Sequence, residues 1–181
     1  MRLLFEMDKK DYGQCTHSFV RNSARSIIIR GNKVAMIYSH KYDYYKFPDG
    51  GIESGENPVE AMIRETREES GLVVLMDTVR EYGYVHRIQR SDIDETECFI
   101  QDNYYYLCEV AEEVVSQELD EYEENECYLL EYVDPAVAIG KNRHVGQSPY
   151  NPLMFEREAR VLKMLIEDGL AGWPFGDFCS H

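Results

Sequence analysis

The chain has 181 residues, 44% of them hydrophobic, and a formal net charge of −15 at pH 7. That length supports one domain with a single sizeable core, and the acidity argues against general binding to a nucleic-acid backbone, which wants a basic face. No apolar run approaches the ~18 residues a membrane helix needs, and the start, MRLLFEMDKK, lacks the apolar core of a signal peptide, so a soluble cytoplasmic protein is expected.

Residues 1–17 carry mixed charge and read as an irregular or strand-like lead-in. Residues 19–30 are rich in Val, Ile and Ser and predict a strand. Arg30-Gly31-Asn32-Lys33 is a turn signal, and residues 34–38 read as the returning strand of a hairpin. Residues 39–45 form a polar and aromatic loop. Lys46-Phe47-Pro48-Asp49 then leads directly into a glycine pair, Gly50-Gly51.

The next stretch, GGIESGENPVEAMIRETREESGL over residues 50–72, predicts loop, helix, loop. Asn57 suits the N-cap, Pro58 the first helical position, and Glu60 the returning carboxylate of a capping box. Gly71 stops the helix, because glycine tolerates the left-handed conformation past the end. Val59, Met62, Ile63 and Thr66 recur at i, i+3, i+4, i+7 and should face a core. Glu65, Glu68 and Glu69 fall at i, i+3, i+4 on a neighbouring face. Like charges at that spacing repel, so a partner must offset them, and a hard divalent cation bound through oxygen is the expected one. Glu56 can add a fourth carboxylate. Arg64, four residues from both Glu60 and Glu68, can hold one in place without competing for the metal.

Beyond the helix, residues 73–76 predict a short strand and residues 79–88 and 98–110 longer ones, separated by the polar connection RSDIDETE. Residues 109–126 hold nine acidic residues and no Lys or Arg, and read as a solvated loop or edge. Residues 126–133 predict another strand. Asp134-Pro135 opens a short helix through Ile139, and 141–150 is a loop. Asn151-Pro152 repeats the capping pattern before an apolar stripe of Phe155, Ala159, Leu162 and Ile166 that ends near Gly169. The tail, 169–181, reads as irregular. The five cysteines are scattered, without zinc-like spacing, and fit reduced thiols. With no repeat or linker, one domain over 1–181 is expected, with 1–17 as lead-in and 170–181 as tail. A mixed sheet with helices on its faces fits this element order.

The stretch 50–72 resembles the Nudix box, G-x5-E-x7-R-E-U-x-E-E-x-G-U with U apolar. Gly50, Glu56, Arg64, Glu65, Glu68, Glu69, Gly71 and Leu72 fill their slots without insertion; Thr66 stands where the family prefers an aliphatic residue. Asp49 replaces the first of two glycines that often precede the box. The resemblance implies an α/β/α sandwich and Mg²⁺-dependent hydrolysis of a diphosphate bond in a nucleoside diphosphate linked to another group, with Mn²⁺ as an alternative ion. By position, Glu65, Glu68 and Glu69 would be metal ligands, joined by the Gly50 carbonyl. Glu56 would bind metal indirectly or brace the loop, and Arg64 would orient the glutamates. A further acid outside the box is expected from Glu97, Glu123, Glu124 and Glu126, among which the sequence does not choose. Tyr44, Tyr45 and Phe47 are candidates to stack on a base, and Lys46, Arg30, Arg87 or Arg90 to meet phosphates; for each, a core aromatic or solvated cation is an equal reading. Downstream markers of ADP-ribose, diadenosine polyphosphate and NADH hydrolases are absent: HRIQRSD lacks the proline, Tyr82 and Tyr84 come too early, and the WPF at residues 173–175 lacks its context. A catalytically inactive nucleotide-sensing or scaffolding domain of the same family is the alternative, and self-association as a homodimer stays open.

Overall fold

The computed structural model describes residues 1–172. The strands are β1 (Leu3–Asp8), β2 (His17–Val20), β3 (Ser23–Ile27), β4 (Ile29–Arg30), β5 (Lys33–Ser39), β6 (Tyr44–Lys46), β7 (Asp49–Gly51), β8 (Leu72–Val74), β9 (Arg80–Arg90), β10 (Glu97–Leu107), β11 (Val110–Val114) and β12 (Tyr128–Val133). The helices are α1 (Pro58–Ser70), α2 (Glu121–Glu126), α3 (Pro135–Arg143) and α4 (Pro152–Glu167). The tail beyond Gly172, with the Trp173 motif and Cys179, lies outside the described residues.

The main sheet is mixed. Its order is β1-β9-β10-β3-β7, with β2 also pairing to β10; β9–β10 and β3–β7 are antiparallel, whereas β1 runs parallel to β9, and β2 and β3 run parallel to β10. A second sheet is β12-β5-β4 with β6 on β5. Two apolar clusters form on opposite sides of β3, because alternate strand residues face opposite ways. Ala24 and Ile28 pack with Ala61 and Met62 of α1, whereas Ile27 packs with Val161, Leu162 and Leu165 of α4. The expected sandwich with helices on both faces is therefore present.

The stretch predicted as one strand over 19–30 is three strands. β2 and β3 both pair with β10, and the chain bends at Arg21–Asn22, where the Asn22 side chain accepts from the Asp102 N–H at 3.0 Å. The hairpin at Gly31 forms as read, with Ile29 opposite Val34 and Gly31 at φ 61°. The acidic run is not a plain solvated loop. Residues 110–114 pair with β8, and residues 121–126 form α2, in which Glu123 and Glu126 are buried.

Candidate active site

Helix α1 is capped as its sequence dictates. The Asn57 side chain accepts from the Val59 and Glu60 N–H groups, Glu60 closes the capping box on the Asn57 N–H, and Gly71 adopts φ 72°. The buried positions are Ala61, Met62, Thr66, Glu69 and Ser70, whereas Val59 and Ile63 are only partly covered. The core face is thus rotated from the expected stripe, and its period of Met62, Thr66, Glu69 carries Glu69 inward. The Thr66 hydroxyl, where an aliphatic side chain is the family preference, donates to the Met62 carbonyl at 2.6 Å and lies 2.8 Å from Ser26 Oγ.

That rotation changes the role expected of Glu69. It is 1% exposed, its Oε1 meets Lys46 Nζ at 2.5 Å, and its Oε2 accepts from the Asp49 N–H at 2.9 Å. Both oxygens are engaged under the loop, not presented with Glu65 and Glu68. Burial pushes the Glu69 carboxyl upward, against the pull of Lys46. Burial also works against the Lys46 charge, but Asp49 and Glu69 outweigh it and keep the ammonium protonated. Asp49, in the slot of a family glycine, pairs with Arg25 at 2.6 Å and Lys46 at 3.1 Å. Burial would raise its carboxyl, yet those two cations hold it down at about 2.

The approach to Gly50 is pinned residue by residue. Asn142 of α3 accepts from the Tyr45 N–H and donates to the Tyr45 carbonyl, both at 2.8 Å. Glu158 of α4 accepts from the Phe47 N–H at 2.9 Å, and Glu69 holds the Asp49 N–H. Tyr45 and Phe47 lie in the core, Phe47 edge-on to Tyr105 at 5.6 Å, so neither forms the stacking surface expected of them. Lys46 is consumed by its two carboxylates, which removes it as a free phosphate contact. Arg30 sits over the Tyr132 ring and Arg90 is exposed; of the cations named from sequence, Arg87 and Lys46 line the larger cavity beside the box.

Gly50 and Gly51 pair with Ala24 and Ser23. A Cβ on Gly50 would come within 3.0 Å of the Glu65 Cδ and both its oxygens, so the glycine is what lets the carboxyl rest against the strand. Arg64 gathers the remaining acids. Its Nε and Nη2 meet the two Glu56 oxygens at 2.9 Å each, its Nη1 meets Glu65 at 2.6 Å and Glu68 at 3.2 Å, and Nη2 also donates to the Gly51 carbonyl at 3.1 Å. Glu60 stays in the capping box. The Arg64 pairing lowers the Glu56 carboxyl. Burial raises that of Glu65, opposed by Arg64. Among the described residues no His, Cys, Asp and Glu side chains are already gathered as a metal cage; the acids lean on Arg64 instead.

Arg64, Glu65 and Glu68 border a cavity of about 490 Å³, and Gly50 and Glu65 an adjoining one of about 750 Å³; the two share Arg21, Gly51, Glu65, Asp120 and Glu123. Of the acids named outside the box, Glu123 faces both. It accepts from the Asp120 N–H at 2.8 Å and from the Tyr122 hydroxyl at 2.9 Å. Glu97 lines only the larger cavity, and Glu126 is turned to the hydroxyls of Ser39, Tyr44 and Tyr150. Asp120 and Arg21 were not singled out by the sequence; their placement depends on α2 and on the bend after β2.

Comparison with known proteins agrees with this architecture. The NUDIX domain family model matches residues 20–149. An RNA pyrophosphohydrolase of Psychromonas ingrahamii (strain DSM 17664 / CCUG 51855 / 37) is 33% identical over 93 residues, 46% of this chain and 51% of the relative, so the chain spans about half that protein's length. Two solved structures share the fold: a NUDIX hydrolase from Nitrosomonas europaea, with a TM-score of 0.57 at 16% identity over 90% of this chain and 97% of that one, and the E. coli ORF135 protein, with 0.52 at 18% identity over 83% and 92%. With a complete box on a capped helix, this sandwich around it and the family model spanning most of the sequence, the chain belongs to the Nudix family.

Proposed function

We propose that the chain is a Nudix hydrolase that cleaves a diphosphate bond in a nucleoside diphosphate derivative with the help of Mg²⁺. The observation that carries this reading is the set of Glu56, Glu65 and Glu68 held by Arg64, of which Glu65 and Glu68 border the smaller cavity and Glu65 also borders the adjoining one, which is large enough for a nucleotide. The residues fit the ion: the donors are all oxygens, as a hard cation prefers, and the bare Cα of Gly50 leaves room for the Glu65 carboxyl. Glu65 and Glu68, with the Gly50 carbonyl, would hold it. Bound there, Mg²⁺ polarises a phosphorus–oxygen bond and lowers the pKa of a water.

The chain's own groups do the rest. Arg64 keeps Glu56 on the loop and orients Glu65 and Glu68, a task for which its planar fork is suited. Arg21, on the rim of both cavities, meets a substrate phosphate. Among the described residues no cation pairs with Glu123, which faces the box across the cavity and takes the proton of the attacking water on a carboxylate oxygen. Glu69 and Glu158 act earlier in the chain of causes, by fixing the backbone that presents Gly50.

A panel of nucleoside diphosphate derivatives, incubated with the protein and Mg²⁺ and resolved by chromatography, tests this. One arm is a 5′-pyrophosphorylated RNA, since the curated relative is an RNA pyrophosphohydrolase. Hydrolysis in at least one arm, abolished by EDTA and reduced in Glu123→Gln, is the expected result. Tight binding without turnover across the panel would instead identify a nucleotide sensor.

A further inference from the structure

The interior cations are not all matched. Arg25 pairs with Asp49 at 2.6 Å, Lys46 with Glu69 at 2.5 Å and Arg157 with Glu158 at 2.9 Å. Arg87 is 9% exposed and, among the described residues, has no carboxylate partner; its Nε and Nη2 both donate to Gln89 Oε1, at 3.2 and 2.9 Å. A guanidinium buried without a counter-charge is costly. Burial, with Arg157 and Arg25 nearby, depresses Arg87 to about 10, and Asp92 opposes this only in part. Its place in the cavity wall says where the missing charge would come from.

The strand register gives the distance. Gly51, Ser23, Asn103 and Val85 lie in one row across β7, β3, β10 and β9, and Arg87 is two residues along from Val85. Three strand spacings of ~4.8 Å and two steps of ~3.3 Å put Arg87 and Gly51 about 16 Å apart at Cα. One diphosphate does not bridge that span even with the arginine extended. The same cavity is lined by Ser23 and Gln101, suited to sugar hydroxyls, and by Arg25 and Arg157, whose charges Asp49 and Glu158 already meet. Beside Arg87 lie Phe99, with the guanidinium 5.4 Å over its ring, and Phe19, which is 47% exposed and offers a face to a base.

We propose that Arg87 is the counter-charge for a second anionic group of the ligand, one nucleoside away from the diphosphate, so that the preferred substrate is a nucleoside diphosphate derivative with a further phosphate on its ribose. This rests on the hydrolase reading for the position of the diphosphate. Asp92, Asp94 and Glu97 border the same end of the cavity. They repel a polyanion leading out of it, which favours a terminal phosphate over the first linkage of a nucleic acid.

The test is calorimetric binding, in Mg²⁺ buffer, of the 3′,5′-bisphosphates of the four ribonucleosides against their 5′-monophosphates. None contains a diphosphate bond, so the readout does not depend on turnover. At least one bisphosphate should bind roughly tenfold or more tightly than its monophosphate, as a charge-assisted hydrogen bond implies. Arg87→Gln should erase that ratio, and Arg87→Lys should keep part of it. Equal binding of both ligands by the unaltered protein overturns the proposal, whether or not the variants fold. So does a ratio that survives Arg87→Gln, or a 5′-phosphorylated dinucleotide that outbinds the bisphosphate. The preference without hydrolysis of any diphosphate overturns the hydrolase reading and leaves the subsite; hydrolysis without the preference does the reverse.

Discussion

Two glycines of the box, exchanged for alanine, should fail in different ways. At Gly50 the backbone is not left-handed, and the atoms a Cβ would strike are the Glu65 carboxyl, the far end of a flexible side chain. Displacing it to a poorer rotamer costs roughly 0.5–1.5 kcal/mol, and losing glycine's freedom in the unfolded chain returns roughly 0.4–1 kcal/mol, so stability should change by less than about 1 kcal/mol. The carboxyl, however, must leave its seat beside the loop. A shift of about 1 Å in such a group can reduce turnover by about 10²-fold. At Gly71 the situation is reversed. Its φ is 72°, and the Cβ would press on the Val115 carbonyl, which is backbone and cannot swing away. Left-handed strain of about 1–2 kcal/mol and overpacking of about 1–3 kcal/mol combine to roughly 2–5 kcal/mol. The Gly71 carbonyl that accepts from the Val115 N–H would move with it. Urea melts without metal and turnover with Mg²⁺, measured on both variants, decide the matter. If Gly50→Ala unfolds as easily as Gly71→Ala, or keeps full turnover, the account of Glu65 resting on a bare Cα is wrong.

The two faces of α1 should separate likewise: Glu68→Gln, at a solvent-facing carboxylate, should lower turnover by about two orders of magnitude with a stability change within about 0.5 kcal/mol, whereas Met62→Ala, at a fully buried side chain, should cost about 2–5 kcal/mol. The reverse assignment in melts and rates would refute the helix orientation. Arg64→Lys cannot reproduce the fork on Glu56 together with the contacts to Glu65 and Glu68, so turnover should fall about tenfold or more while the fold survives; an unchanged rate would reduce Arg64 to a surface charge. The Asp49 carboxyl is depressed from 3.8 to about 2, so it contributes stability above about pH 4 that is lost as pH falls toward 2. The contribution is about 2 kcal/mol. Asp49→Asn should flatten that acid limb by a similar amount in pH-dependent melts; an identical acid limb in both proteins would show that Asp49 is not held by Arg25 and Lys46.

The helix and its caps were legible from sequence, because capping and termination are local. Asn57, Pro58, Glu60 and Gly71 act within one turn of themselves, and the structure places each as read. The contact of Arg64 with Glu68, four residues on, also follows from helical spacing; its fork on Glu56, eight residues back across the loop, does not, and Glu60 is taken by the capping box instead. Nor does the inward turn of Glu69 follow from spacing: i+3 and i+4 neighbours share a helix surface, and only the packing of Met62 and Thr66 against β3 decides which side of the boundary is buried. Tyr45, Lys46 and Phe47 show the same limit. Aromatic and basic types suit both a core and a binding surface, and it took Asn142, Glu158 and Glu69, distant in sequence, to turn that segment inward. The acidic run misled for a physical reason as well. Charge density favours solvent, yet Glu126 is buried where the Ser39 and Tyr44 hydroxyls reach it from β5 and β6, and Glu123 is buried with the Asp120 N–H and Tyr122 hydroxyl of its own helix donating to it. Local chemistry was thus written in the sequence, while the choice of which charges face the cavity was made by strand register and by which buried cation met which carboxylate.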